Sequence, residues 1–244
     1  MIIKKAQFYK RGTIRVLGWS PDVMMTAKGS NSSGEIRLFS RKSRQRLMFI
    51  MTETEIEFES MVTLTYPREF GLNGLKVKKD LRKMLSVLQK CFGAYLAYAW
   101  IIEFQARGAP HFHLLLNVTP DNRERYFVAL AWAEICTKND EERDKVFFVH
   151  SRPEAFSEIY ARDGARHYIA KYALKPEQKI VPERYQNVGR FWGVSGNVLG
   201  SIPEPTTIDI TEDNLRLCLQ NINTDVAMWP NLPSYIFAKY DKKD

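Results

Sequence analysis

The stretch Trp100 to Asn117, WIIEFQARGAPHFHLLLN, limits what this chain can fold into more than any other. An apolar run carrying a single acid, Glu103, meets a Gly-Ala-Pro turn and then a second apolar run carrying His111 and His113. Side chains along a strand alternate between faces, so the two histidines share one face while Phe112 and Leu114 take the other. Residues Phe112 to Val118 are apolar on both faces. That is the mark of a central strand covered from both sides, where an imidazole without a partner is costly. On the preceding strand Glu103 shares its face with Ala99 and Ile101. A hairpin pairing residue 103 with residue 111 therefore gathers one carboxylate and two imidazoles on one patch, a donor set suited to a divalent cation with positions left open for substrate. A slip of one residue would send Glu103 to the opposite face.

The His-x-His spacing is common by chance, so the rest of the chain must supply its purpose. At 244 residues with 45% apolar content, the chain can bury a full core. Its 36 lysines and arginines exceed its 28 acids, for a net charge of +8. Residues 205–244 hold 4 basic and 6 acidic side chains, so the first 204 carry 32 against 22. Such an excess favours a polyanionic partner, and nucleic acid before membrane, because no stretch is a long uncharged apolar span or a basic amphipathic helix. Cys91, Cys136 and Cys218 are far apart with no C-x-x-C and no leader before them, which reads as reduced thiols in a cytoplasm. No G-x-x-x-x-G-K-[ST] occurs, so no nucleotide-hydrolysing motor is recognisable.

The spacing of apolar residues predicts the remaining elements. Thr13–Trp19 reads as a strand and 28–34 (KGSNSSG) as a loop. Arg37 to Arg46, RLFSRKSRQR, is a charge run that reads equally as a solvated face or a track for phosphates. MVTLTYP, Met61 to Pro67, reads as a buried strand ended by proline. A 3.6-residue period predicts helices over Leu75–Phe92 and Asn122–Thr137, and Val146–His150 looks like a strand. The expected fold is α+β, a sandwich of helices on a mostly antiparallel sheet. Residues 1–204 form the expected main domain, with a strand-rich N-terminal extension. Residues 205–244 form an appendage with one short helix, Glu212–Gln220.

A second cluster lies at 165–175, ARHYIAKYALK. On a helix Tyr168, Lys171, Tyr172 and Lys175 fall in one narrow stripe, while Ile169, Ala170, Ala173 and Leu174 lie opposite. Pro176 ends the helix. The stripe can be a solvated face or a chemical one. A phenol near pKa 10 attacks poorly at pH 7 unless a cation or base stabilises the phenolate, which a lysine and a metal-polarised phosphate can do.

MVTLTYP, GAPHFHLLL and YIAKYALK, in that order, resemble the three motifs of the HUH-type rolling-circle replication initiators. GRFWG, Gly189 to Gly193, is similar to a segment that follows the tyrosine helix in plasmid and filamentous-phage members. The resemblance implies a five-stranded antiparallel sheet with the histidines on its central strand, a Mg2+ or Mn2+ ion, and a tyrosine that attacks single-stranded DNA at a replication origin. By position it makes His111, His113 and Glu103 the metal ligands. Tyr168 and Tyr172 match the paired tyrosines of Y-x-x-x-Y members, and Lys171 and Lys175 the lysines after them. Tyr172 ranks slightly ahead for the first nick. Arg41, Lys42, Arg44, Arg190 and Trp192 are candidate DNA contacts, with Phe191 and Trp192 either stacking on bases or packing in the core. His150 and His167 read as structural or phosphate-contacting. The resemblance further implies a host helicase and polymerase as partners and the cytoplasm of a bacterial host. A transposase or relaxase with the same chemistry, and a non-catalytic RRM-like binding module, are the alternative readings.

Overall fold

In the computed structural model, residues 3–17, 39–67, 73–159, 164, 168–169, 181–185, 188–222 and 235–237 are described. The strands β1 (Ile3–Phe8), β2 (Thr13–Leu17), β3 (Ser60–Thr65), β4 (Tyr98–Phe104), β5 (Pro110–Leu116), β6 (Phe156–Glu158), β7 (Trp192–Val194), β8 (Thr206–Thr211) and β9 (Tyr235–Phe237) make two sheets. Four longer helices precede β7: α1 (Arg41–Glu53), α2 (Gly74–Phe92), α3 (Asn122–Cys136) and α4 (Asp140–His150). The fold is α+β, and the larger sheet is the expected five-stranded antiparallel one, in the order β6-β3-β5-β4-β7.

β5 is the central strand of that sheet because both its faces can be covered. Phe112, Leu114 and Leu116 are each fully buried on one face. Trp132 of α3 reaches that side, its ring edge-on to Phe112 and its indole N–H donating to the Thr65 carbonyl. α2 starts where the Asn73 side chain accepts from the Lys76 N–H and stops at Gly93, whose φ of 81° suits a residue without a side chain. Its buried stripe is Val77, Leu81, Met84 and Leu88. α3 opens on a capping box between Asp121 and Glu124.

The expected strand at Val146–His150 is instead the last turns of α4. The β-branched and aromatic run VFFV favours a strand locally. Asn139 nevertheless caps a helix whose first turn carries Asp140, Glu141 and Glu142, which suit the positive end of the helix dipole. Val146 and His150, four apart, are then the buried pair, while Phe148 and Val149 are exposed. The basic run continues into a helix as well: Arg41, Lys42 and Arg44 occupy the first turn of α1.

The division of the chain also differs from the one expected at 204/205. One compact unit comprises Gly34–Met48 and Thr54–Ser201, and holds the five-stranded sheet. The other comprises Met1–Ser33, Phe49–Glu53 and Ile202–Asp244. There the N-terminal strands pair with the C-terminal segment in a four-stranded sheet ordered β8-β1-β2-β9. Its core is Ala6, Ile14, Leu215, Leu219 and Ile236, the two leucines lying on the helix Glu212–Gln220. The fully buried Glu53 carboxylate accepts from the Arg11 and Thr13 N–H groups at 3.0 and 3.1 Å, closing the turn between β1 and β2. Strand ends that unite so late in the chain leave no trace in local periodicity. No helix among the described residues is long and apolar enough to cross a membrane.

Candidate functional site

The ladder of the large sheet fixes which side chains meet. β4 and β5 pair in the register Glu103↔His111 and Ile101↔His113, and β3 and β5 in the register Thr65↔His111 and Thr63↔His113. Directly opposed residues of an antiparallel pair share a face, so Thr63, Thr65, Ile101, Glu103, His111 and His113 form one patch. Glu103 is 3% exposed and His113 6%, while His111 is half-buried. His113 Nε2 lies 3.5 Å from Glu103 Oε2, and the two imidazole rings stand 4.5 Å apart at 78°. Thr65 Oγ1 is 2.8 Å from His111 Nδ1, and Thr63 Oγ1 is 3.4 Å from His113 Nδ1.

Burial pushes the His111 pKa down to about 3, with the neighbouring His113 adding to the effect and Glu103 opposing it. The ring is therefore neutral at any ordinary pH, the state in which it can ligate a cation. The donor set fits a divalent ion in kind: one buried carboxylate and two imidazoles on a shared patch. The 3.5 Å between Glu103 and His113 falls near the roughly 3.0–3.5 Å that separates two ligands of one cation held about 2.1 Å away. As placed, the three do not close on a point, and among the described residues no group of three His, Cys, Asp or Glu side chains is gathered tightly enough to hold an ion.

Tyr168 is helical and brings its ring to 5.9 Å from that of His113, centroid to centroid, edge to face. The next residue, Ile169, is buried at 1% exposure, in keeping with its place on the apolar side of the stripe. Tyr172, Lys171, Lys175 and His167 lie outside the described residues. Tyr66, the tyrosine of the MVTLTYP stretch, is a different kind of residue. Its hydroxyl donates to Asp80 Oδ2 at 3.0 Å, its ring packs against Trp132, and burial raises its phenol far above the ordinary range. It has no access and no tendency to ionise.

The GRFWG segment splits into three roles. Phe191, 2% exposed and stacked on Phe39, packs in the core and is not available to stack on a base. Trp192 pairs across from Ile101, which puts it on the histidine face, and its indole N–H donates to Ser43 Oγ at 2.9 Å. Ser43 lies in the first turn of α1, so this bond ties Arg41, Lys42 and Arg44 to the edge of that face. Gly193 is needed because a Cβ there would sit 2.6 Å from Trp100 Nε1. Arg190 is exposed, and its carbonyl accepts from the Lys78 ammonium, which also stands 3.9 Å over the Trp100 ring. Burial and the nearby Arg190 and Arg82 push Lys78 down to about 7.

Two residues that periodicity could not single out complete the surroundings. Arg107, in the hairpin turn, donates to the Tyr66 and Pro67 carbonyls and to Gln105 Oε1, pinning the turn to the end of β3. His150 is buried, accepts from the Thr65 N–H at 2.9 Å through Nε2, and donates from Nδ1 to the Val146 carbonyl at 2.8 Å. Beside them a cleft of about 610 Å3 is lined by Arg107, Glu141, Glu142 and Lys145. Its two glutamates make it a poor route for phosphates, in contrast to the basic turn of α1.

Comparison with curated proteins and with solved structures yields no match. Residues 59–177, the segment carrying β3, the histidine hairpin and Tyr168, match the replication-associated protein family of the ORF2 type, a family of rolling-circle replication initiators, and the match supports a Rep-type protein that acts on DNA at an origin.

Proposed function

We propose that this chain nicks and rejoins single-stranded DNA to start rolling-circle replication, using a tyrosine nucleophile and a divalent metal. The observation that carries the proposal is the Tyr168 ring set against His113 on the patch that also holds Glu103 and His111. Glu103, His111 and His113 would hold Mn2+ or Mg2+. The ion's contribution would be to polarise the scissile phosphate and offset charge developing on it.

The chain's own residues would do the rest. The tyrosine oxygen attacks phosphorus in line and the bond to the 3' oxygen breaks. The products are a 5'-phosphotyrosine and a 3'-OH, with the phenolic proton passing to the leaving oxygen through solvent. A phosphodiester replaces a phosphodiester, so the step is close to isoenergetic and can run backwards to rejoin strands. The position of Tyr168 supports assigning the first attack to it rather than to Tyr172, which sequence ranks slightly ahead. Tyr172, one helical turn on, would take the second strand, with Lys171 and Lys175 stabilising the phenolates.

Arg41, Lys42, Arg44 and Arg190 would contact the DNA backbone, with Trp192 at the edge of the face. A host helicase and polymerase would open and extend the template. The test is a pool of labelled single-stranded oligonucleotides with Mn2+, resolved on denaturing gels. The proposal expects a shifted, covalently linked band that chelation abolishes. A protein that binds the oligonucleotides but never forms a denaturation-resistant adduct is a binding module instead.

A further inference from the structure

The two threonines of MVTLTYP take no part in the proposed chemistry, yet both face the imidazoles. Thr65 and Thr63 stand directly across the ladder from His111 and His113, with hydroxyl oxygens 2.8 and 3.4 Å from the respective Nδ1 atoms. Each ring thus has its Nδ1 engaged from β3, and the opposite nitrogen, Nε2, is the one that in His113 faces Glu103 at 3.5 Å. A neutral imidazole carries one proton on its two nitrogens, and the hydrogen bond at one nitrogen decides what the other can ligate.

Thr65 is itself held from behind. Pairing of β3 with β6 ends at Val62, so no strand of that side receives the Thr65 N–H. His150 receives it, through Nε2 at 2.9 Å, and can do so because its Nδ1–H is committed to the Val146 carbonyl of α4. A continuous path runs from the α4 backbone through His150 and Thr65 to His111. Gln105 Nε2 also approaches His111 Nδ1, at 3.5 Å, the outer limit of a hydrogen bond, while Gln105 Oε1 is taken by Arg107.

From this geometry we infer that Thr63, Thr65 and His150 are positioning residues that hold His111 and His113 with Nδ1 protonated, so that both Nε2 atoms are presented to a divalent cation. The inference rests on the metal reading of the proposed function. The same polar partners would otherwise be expected to serve folding alone, which a tautomer measurement separates.

The experiment uses the full-length, metal-free chain with 15N-labelled histidines, read by long-range proton–nitrogen spectra, followed by Mn2+ titration of the same samples. The wild type should show His111 and His113 as Nδ1–H tautomers. Thr65→Val should mix the His111 tautomers and weaken Mn2+ binding about 10- to 100-fold, the range typical of losing an outer partner of a metal ligand. Thr65→Ser, which restores the hydroxyl, should recover both. His150→Gln, which keeps an acceptor, should bind Mn2+ more tightly than His150→Leu. Should Thr65→Val fail to fold, Thr63→Val and Thr65→Ser carry the same comparison. Protonated Nε2 in the wild type, or Mn2+ affinity unchanged in Thr65→Val, overturns the inference. A wild type with Nδ1–H tautomers that binds no Mn2+ overturns the metal reading itself.

Discussion

Each polar residue near the sheet's patch is assigned by its partners rather than by its type. Tyr66 and Tyr168 are both tyrosines close to β5. One donates to a buried aspartate and packs on Trp132, and the other sets its ring on a histidine of the patch. Removing the Tyr66 hydroxyl leaves Asp80 with Lys76 as its remaining partner. Tyr66→Phe should therefore cost about 1–3 kcal/mol of stability in urea unfolding while leaving DNA adduct formation intact. Histidine burial gives a second expectation at this scale. His111 and His150 both have lowered pKa values in the native state, so below about 6.5 the unfolded chain binds protons that the native chain does not. Stability is complete above that pH and falls on acidification by about 1.4 kcal/mol per pH unit for each histidine that stays neutral while its unfolded counterpart is charged. Denaturant midpoints measured from pH 7.5 to 5 should show this slope, and His150→Gln should remove part of it.

At the scale of elements, what can be read from the sequence follows from how local each signal is. The hairpin register is legible because a two-residue period fixes faces and the turn fixes the pairing, and Glu103 lies opposite His111 as that reasoning requires. The helices α2 and α3 are legible for the same reason at a period of 3.6. Val146–His150 looks like a strand in isolation and is a helix in the fold, because propensity over five residues is weaker than a cap and an acidic first turn upstream. The threonine–histidine contacts and the His150 bond are not legible, since they depend on which strand and helix come to lie beside β3. Of the tyrosine stripe, Tyr168 alone falls among the described residues, so the geometry bears on one of its four polar members. The close approach of Trp100 to β7 gives a test of element packing. Gly193→Ala would place a methyl group within 3 Å of the indole, so it should destabilise the protein by about 1–3 kcal/mol, the usual cost of overpacking, measured by urea unfolding.

For the whole molecule, the two ends of the chain belong to one sheet. The strands β1 and β2 have β8 and β9 as their flanking partners, and the buried Ala6 and Ile14 share a core with Leu215, Leu219 and Ile236. A chain cut after residue 201 would leave both outer edges of the β1–β2 hairpin bare, and an isolated hairpin is marginal in water. Limited proteolysis of that truncated chain should cleave residues 3–17 rapidly and spare the segment 54–159. Protection of both would contradict the division into two units.

The central claim is that a tyrosine on the 168–175 stripe becomes covalently joined to DNA, assisted by the patch of Glu103, His111 and His113. Tyr168→Phe, Tyr172→Phe and the double variant should be incubated with a 5'- and 3'-labelled single-stranded origin oligonucleotide and Mn2+, and the products resolved on a denaturing gel. The account predicts that Tyr168→Phe loses most of the initial adduct, that Tyr172→Phe retains it, and that the double variant forms none. A denaturation-resistant protein–DNA band from the double variant would contradict the claim.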